Sequence, residues 1–203
     1  EMPASSRKRP FINFESTREA GQDILEVKDL CYSLNGEQIL KNVSFTLKKG
    51  DKVILLEGAP GNPSMTDRVN GAEEVLKQAG IVIASRQPAY SDREKAYTAT
   101  QNVLQSTPDI AGVFAANDEQ ALGALRALEQ SGKKVPVIGV DANTDNLKSI
   151  LAGDLYGSVA QGNYDMGRIA VEKALEIVAG KTIDKRIDSG ATMITKENAQ
   201  ALL

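Results

Sequence analysis

Hydrogen-bonding side chains follow each of five short apolar runs in this sequence. They are amides, carboxylates, one guanidinium, one phenol and one hydroxyl, carried by Arg68, Tyr90, Ser91, Asp92, Asn117, Asp118, Asp141, Asn143 and Gln161. Such groups suit multiple hydrogen bonds to a hydroxyl-rich or zwitterionic ligand. The set holds no pair of nucleophile and base, and the chain has no histidine, the usual general base and commonest metal ligand. The predicted chemistry is binding rather than catalysis, with no cofactor and no metal.

Each of these residues also has a purely structural interpretation. Asn117 and Asp118 are suited to cap the helix that follows them, and Asp141 and Asn143 are suited to a turn. Arg68 fits the solvated face of a helix equally well. The convergence of all of them on one edge of the fold is what favours a binding site, and both interpretations stay open at this stage.

The elements that position these side chains alternate regularly between strand and helix. Apolar runs at residues 53–56, 81–84, 112–115, 135–140 and 156–160 predict strands. Helical patterns begin near Arg93, Asp118, Thr144 and Tyr164, and an earlier helix ends at Gly80. This alternation predicts an α/β fold with a doubly wound parallel sheet of the flavodoxin-like or Rossmann-like kind. In such sheets ligands bind at the carboxyl ends of the strands, where the polar residues fall.

Residues upstream of this pattern differ in character. Residues 1–22 are rich in Ser, Arg, Pro and Glu and are predicted to form a flexible arm. Residues 23–51 alternate in polarity on either side of Asn35 and Gly36, which predicts an antiparallel β-hairpin. Residues 52–203 form the predicted α/β lobe, and the hairpin is expected to join it in one composite domain.

Composition excludes several classes of partner and location. A net charge of -3 argues against a nucleic-acid or anionic-membrane surface. Cys31 is the single cysteine, so no internal disulfide forms. No apolar run has the length of a membrane span, and the N-terminus lacks the apolar core of a signal peptide. We expect production in the cytoplasm of an expression host and leave the native location open.

The upstream segment carries one family resemblance. ILEVKDLCYSLNGEQILKNVSFTLKKGDKVILLEG resembles the start of an ABC-type ATPase domain, and PFINFESTREAGQ is similar to the linker before the second ATPase domain of the ABC-F group. That family needs the phosphate-binding motif G-x-x-x-x-G-K-[ST]. From Gly58 this chain reads GAPGNPS, without the lysine, and Pro60 and Pro63 remove two N–H donors. ATP binding and hydrolysis are therefore the disfavoured alternative.

The downstream sequence carries a second resemblance. From about Lys52 to its end, the chain is similar to the C-terminal lobe of periplasmic sugar-binding proteins of the ribose-binding type, which LacI-type repressors share. The segments GVFAANDEQALGALRALEQSGK and VPVIGVDANTD are typical. The resemblance implies a sugar site formed by Arg68, Asn117, Asp141 and Gln161. Ser91 stands where the family often has an aromatic residue against the sugar ring, and Tyr90 lies one position earlier.

Together the two resemblances suggest a chimera whose fragments are joined within the strand that begins at Lys52. Our main functional hypothesis is a deliberately recombined chain without selected catalytic activity, binding a monosaccharide-like solute weakly at most. The alternatives are a functional sugar-binding component of ABC transport and, less favoured, a nucleotide-binding ATPase fragment.

The tail of the sequence predicts one further strand. Residues 184–195 contain Ile187, Ala191, Met193 and Ile194, an alternation suited to an edge strand. We expect this strand to pair with the hairpin or with a second chain, which would make a homodimer.

Overall fold

The computed structural model describes residues 23–34, 37–48 and 50–203 of the chain, with side chains described for Lys48 and from Gly50 onwards. Strands β1 (Asp23–Leu34) and β2 (Glu37–Lys48) pair antiparallel and form a two-stranded sheet of their own. This agrees with the predicted hairpin. The predicted arm at residues 1–22 and the turn at Asn35 and Gly36 lie outside the described residues.

The lobe consists of alternating strands and helices. The strands are β3 (Lys52–Glu57), β4 (Val82–Pro88), β5 (Ile110–Ala115), β6 (Val137–Val140), β7 (Gly157–Gln161) and β8 (Ala191–Ile194). The helices are α1 (Pro63–Gln78), α2 (Arg93–Ser106), α3 (Asp118–Gln130), α4 (Thr144–Ala152) and α5 (Asn163–Val178), followed by a short 3₁₀ helix at Ala199–Leu202. This mostly parallel α/β architecture confirms the predicted fold class.

The six strands lie in the order β4-β3-β5-β6-β7-β8, and only β8 runs antiparallel to its neighbour. The chain first steps from β3 to β4 and then returns across β3 to β5. This reversal at the carboxyl ends of β3 and β5 marks the usual ligand position in such sheets.

Two apolar layers cover the faces of the sheet. Val69 of α1 packs with Val53 and Leu55 on one face. Helices α2, α3 and α4 pack on the other face, with Leu128 and Ile150 fully buried there. Parallel strands covered on both sides need continuous apolar runs, and Val53 to Leu56 are all buried in β3.

Helix starts are determined locally by side-chain caps. Asn62, Asp92, Asn117 and Asn143 each accept a hydrogen bond from a backbone N–H in the first turn of α1, α2, α3 and α4 respectively. Because this capping chemistry is readable in the sequence, the starts at Arg93, Asp118 and Thr144 agree with prediction.

The tail strand has a different partner from the one expected. Strand β8 does lie within residues 184–195, as predicted, but it pairs antiparallel with β7 at the edge of the six-stranded sheet. In the described residues, β1 and β2 form a separate sheet, so β8 is not paired with the hairpin. Its pairing with β7 uses only one edge of β8, and no observation supports the expected homodimer through the other edge.

Helix α5 differs from the other four helices because none of its residues is buried. Its apolar side chains are largely exposed, with Tyr164 at 82% and Val178 at 85%. Burial of apolar area is the main source of folding free energy, so α5 contributes little to the core.

Candidate functional site

Arg68 extends from α1 to the carboxyl edge of the sheet. Its Nη1 donates to the carbonyl oxygen of Ala116 at 2.8 Å and to Asp141 Oδ1 at 3.3 Å. The side chain is only 16% exposed. Arg68 is thus not a solvated helix residue, and the structure connects it to the ends of β5 and β6.

Asp141 is the residue on which the other groups converge. It follows β6 directly, and its Oδ1 accepts a second hydrogen bond from Gln161 Nε2 at 2.7 Å. Within residues 50–203, its Oδ2 accepts no hydrogen bond, and its side chain is 36% exposed. One carboxylate oxygen is therefore fixed by two donors while the other is available to a ligand hydroxyl.

Asn117 combines a structural role with an available donor. Its Oδ1 caps α3 by accepting from Gln120 N at 3.1 Å. Its Nδ2 donates to no group in the described part of the chain, and the residue adjoins Ala116, whose carbonyl Arg68 contacts. The capping and binding interpretations are compatible, because they use different atoms of the same amide.

Tyr90 and Ser91 lie at the same sheet edge but outside this group. Both have left-handed backbone, with φ of 56° and 59°, in the loop after the edge strand β4. The Tyr90 ring is 47% exposed and lies 4.6 Å from Lys95 Nζ. Within residues 50–203, neither residue bonds to Arg68, Asp141 or Gln161. Their part in a binding site stays a prediction.

Asp118 has a role that the sequence did not reveal. It does not cap α3, because Asn117 does; instead its carboxylate is buried and accepts from Ser158 Oγ at 2.6 Å and from Asn143 N at 2.7 Å. Desolvation by burial raises the pKa of Asp118 from 3.8 to about 6, against the lowering effect of these two hydrogen bonds. Ser158 was absent from the predicted set, since nothing in its neighbourhood marks a serine within an apolar strand as a partner.

The remaining predicted residues have structural roles. Asp92 caps α2 by accepting from Lys95 N at 2.8 Å, and Asn143 caps α4 by accepting from Asn146 N at 3.0 Å. The structural interpretation of both is therefore the one that the contacts support.

The loop after β3 is arranged for helix capping. Asn62 Oδ1 accepts from Met65 N at 3.3 Å at the start of α1, the position that a nucleotide phosphate occupies in phosphate-binding loops. In the described part of the chain, no three His, Cys, Asp or Glu side chains are grouped closely enough to hold a metal ion. Across the same residues, no helix has the length and hydropathy to span a membrane.

The fold is an α/β lobe whose polar side chains Arg68, Asn117, Asp141 and Gln161 lie at the carboxyl edge of the sheet. Residues 28–182 match the periplasmic binding protein domain family. The chain belongs to this family.

Several relatives match over most of this chain. The ribose import binding protein of Bacillus subtilis strain 168 is 38% identical over 191 residues, which cover 93% of this chain and 61% of that protein. The D-allose-binding periplasmic protein of Escherichia coli K12 is 37% identical over 151 residues, covering 70% of this chain and 49% of that protein. The chain spans about half to two thirds of the length of the curated relatives it matches.

Solved structures agree with this assignment. A periplasmic ribose ABC transporter protein from Conexibacter woesei superposes with a TM-score of 0.71 at 29% identity, covering 77% of this chain and 54% of that one. A solute-binding protein from Actinobacillus succinogenes with bound D-allose gives a TM-score of 0.69 at 30% identity, covering 75% of this chain and 56% of that one.

The family match begins upstream of the predicted join. It starts at residue 28, inside β1, whereas sequence analysis placed the join within β3 at about Lys52. The match over residues 28–182 confirms the ribose-binding resemblance at the level of the family. The ATPase-like origin of residues 23–51, and with it the chimera, stays a prediction.

Proposed function

We propose that this chain supplies a sugar-binding lobe of a solute-binding protein for ABC transport, with a non-catalytic role. The observation that carries the proposal is the Asp141 carboxylate at the carboxyl edge of the sheet: Arg68 and Gln161 donate to its Oδ1, and within residues 50–203 its Oδ2 accepts no hydrogen bond. Family membership, and relatives named for ribose and allose, support a sugar-binding component of ABC transport. They support it better than the hypothesis of a recombined chain without selected activity.

The expected ligand is an aldopentose or aldohexose. Neighbouring ring hydroxyls each donate one hydrogen bond and accept others, so they need carboxylate and amide groups side by side. Asp141 Oδ2 would accept from a hydroxyl, while Asn117 Nδ2 and the Arg68 guanidinium would donate to sugar oxygens.

Binding by this lobe alone is expected to be weak. An open sheet edge covers one side of a ligand, and the loss of enclosure costs a few kcal/mol, or about a hundredfold in affinity. We expect dissociation constants of roughly millimolar size.

The test is a thermal melt of the purified chain with D-ribose, D-allose or MgATP. At a sugar concentration ten times the dissociation constant, binding stabilises the folded state by about 1.4 kcal/mol, and Tm rises by roughly 3–6 °C. Asp141→Ala removes a charged hydrogen-bond partner worth about 1.5–3 kcal/mol and should abolish the shift.

Asp154→Ala is the matched control. Asp154 is an exposed carboxylate in the turn between α4 and β7, and its replacement should leave the shift intact. A melt that no sugar moves would overturn the proposal, as would an equal response in wild type and Asp141→Ala. A shift with MgATP alone would revive the nucleotide hypothesis.

A further inference from the structure

The turn that carries Asp141 has a backbone that non-glycine residues rarely adopt. Asp141 has φ of 119° and its neighbour Ala142 has φ of 55°. A Cβ atom disfavours this left-handed region, so such residues persist only where surrounding contacts hold them. The turn therefore requires an explicit restraint.

Three consecutive N–H groups supply that restraint. Asp141 N donates to Val159 O at 2.9 Å, and Ala142 N donates to Ser158 Oγ at 3.0 Å. Asn143 N donates to Asp118 Oδ2 at 2.7 Å. Two of the three acceptors are thus side chains.

Asp118 and Ser158 act on the turn as a unit. Ser158 Oγ accepts from the turn and donates to Asp118 Oδ1 at 2.6 Å. Both residues are buried, Asp118 at 1% exposure and Ser158 at 0%. Removing either side chain would leave a backbone N–H of the turn without its acceptor.

The surroundings of Asp118 fix its position. A Cβ at Gly139 would lie 2.4 Å from Asp118 Oδ1 and 3.0 Å from Asn146 Nδ2, so glycine leaves the space that the carboxylate occupies. Asn146 is fully buried, and within residues 50–203 neither polar atom of its side chain has a hydrogen-bond partner. Asp118 thus sits in a closed slot formed by β6, β7 and the start of α4.

We infer that Asp118, acting with Ser158, is a positioning residue that holds residues 141–143 in the left-handed turn and so aims the Asp141 carboxylate at a sugar ligand. This inference rests on the proposed sugar-binding function. Asp118 itself does not contact the ligand.

The same arrangement makes sugar affinity depend on pH. Burial raises the pKa of Asp118 to about 6, and the charges of Asp141 and Glu119 add to the increase. Protonation turns one carboxylate oxygen into a donor and weakens its acceptance from Asn143 N or Ser158 Oγ. With no histidine in the chain, no imidazole titrates in this pH range.

The test combines hydrogen exchange without ligand and D-ribose titration of the full chain. In Asp118→Ala we expect amide exchange to rise at least tenfold at residues 141–143 but not in β3, and ribose affinity to fall at least tenfold. Wild-type affinity should fall from pH 7 to pH 5, whereas Asp118→Asn should lose most of this dependence. Asp154→Ala should match wild type in both measurements.

Ser158→Ala removes the acceptor of Ala142 N and leaves a small apolar residue that suits the buried position in β7. This variant replaces Asp118→Ala in the test if Asp118→Ala does not fold. Unchanged exchange at residues 141–143, or exchange that rises uniformly along the chain, would overturn the positioning role. A rise in amide exchange confined to residues 141–143, with ribose affinity unchanged, would also overturn the positioning role. If wild type binds no sugar, the proposed function fails, and the exchange data still decide whether Asp118 restrains the turn.

Discussion

Gly139→Ala tests the packing beneath the site without touching a proposed ligand contact. The φ of Gly139 lies outside the left-handed region, so alanine is compatible with the backbone there. The added Cβ would approach Asp118 Oδ1 to 2.4 Å and the Ala121 Cβ to 3.0 Å. The variant therefore isolates steric overlap from backbone strain.

The change in the free energy of unfolding for Gly139→Ala is the sum of opposing contributions. Overpacking a buried position costs about 1–3 kcal/mol, and weakening a hydrogen bond to a charged group costs about 1.5–3 kcal/mol. Alanine recovers about 0.5–1 kcal/mol by restricting the unfolded chain. We expect a net destabilisation of about 1.5–5.5 kcal/mol, or roughly 3–22 °C in Tm.

The assay is urea unfolding monitored by circular dichroism at neutral pH. Gly167→Ala is the control, because nothing lies within 4 Å of a Cβ added at this position of α5. That variant should gain up to about 1 kcal/mol from helix propensity. Equal stability of the two variants would refute the argument that the slot at Gly139 has no room for a methyl group.

Three further predictions concern charge and capping. The pKa of Asp118 is higher in the folded chain, at about 6, than its ordinary value of 3.8, so its contribution to stability falls as pH rises from about 4 to 6. The stability of Asp118→Asn relative to wild type should therefore be greater at pH 7 than at pH 4, by at most about 3 kcal/mol as measured by urea unfolding at both pH values. A stability difference between the two proteins that is the same at both pH values would contradict the buried carboxylate. Asn62→Ala removes the α1 cap and should cost about 1 kcal/mol, seen as a lower urea midpoint with unchanged slope. Lys52→Ala breaks an exposed ion pair with Asp109 and should lower the urea midpoint only slightly, an effect that 1 M salt should remove.

Local chemistry made much of the fold predictable. Apolar runs and helical periodicity indicated the order of the lobe's elements, and the Asn and Asp caps fixed helix starts at Arg93, Asp118 and Thr144. Capping depends on contacts within three residues, so it can be read from the sequence alone. Asp141 and Gln161 lie at the carboxyl ends of β6 and β7, where the sequence placed them, and their role in binding stays a prediction.

Some errors came from contacts between distant elements. The tail strand was expected to pair with the hairpin or with a second chain, but β8 pairs with β7. On α3, Gly123 is buried because α2 approaches it closely: a Cβ there would lie 2.1 Å from Arg93 O, while Leu122 and Leu125 pack against the same core. Hydrophobic periodicity predicts which face packs but not how near the neighbouring helix comes.

The sequence by itself determined the α/β class, the sheet edge that carries the polar groups, and the chemical types available to a ligand. Only the tertiary structure decided that Arg68 turns inward to Asp141 and that Asp118 accepts from the turn at Asn143. It also decided that Asn117 Oδ1 caps α3 while its Nδ2 donates to no group in the described part of the chain. The reason is physical: caps and periodicity arise from neighbours along the chain. The burial and the pKa of a carboxylate instead depend on groups that are distant in the sequence. Ser158, which donates to Asp118, lies 40 residues further along the chain.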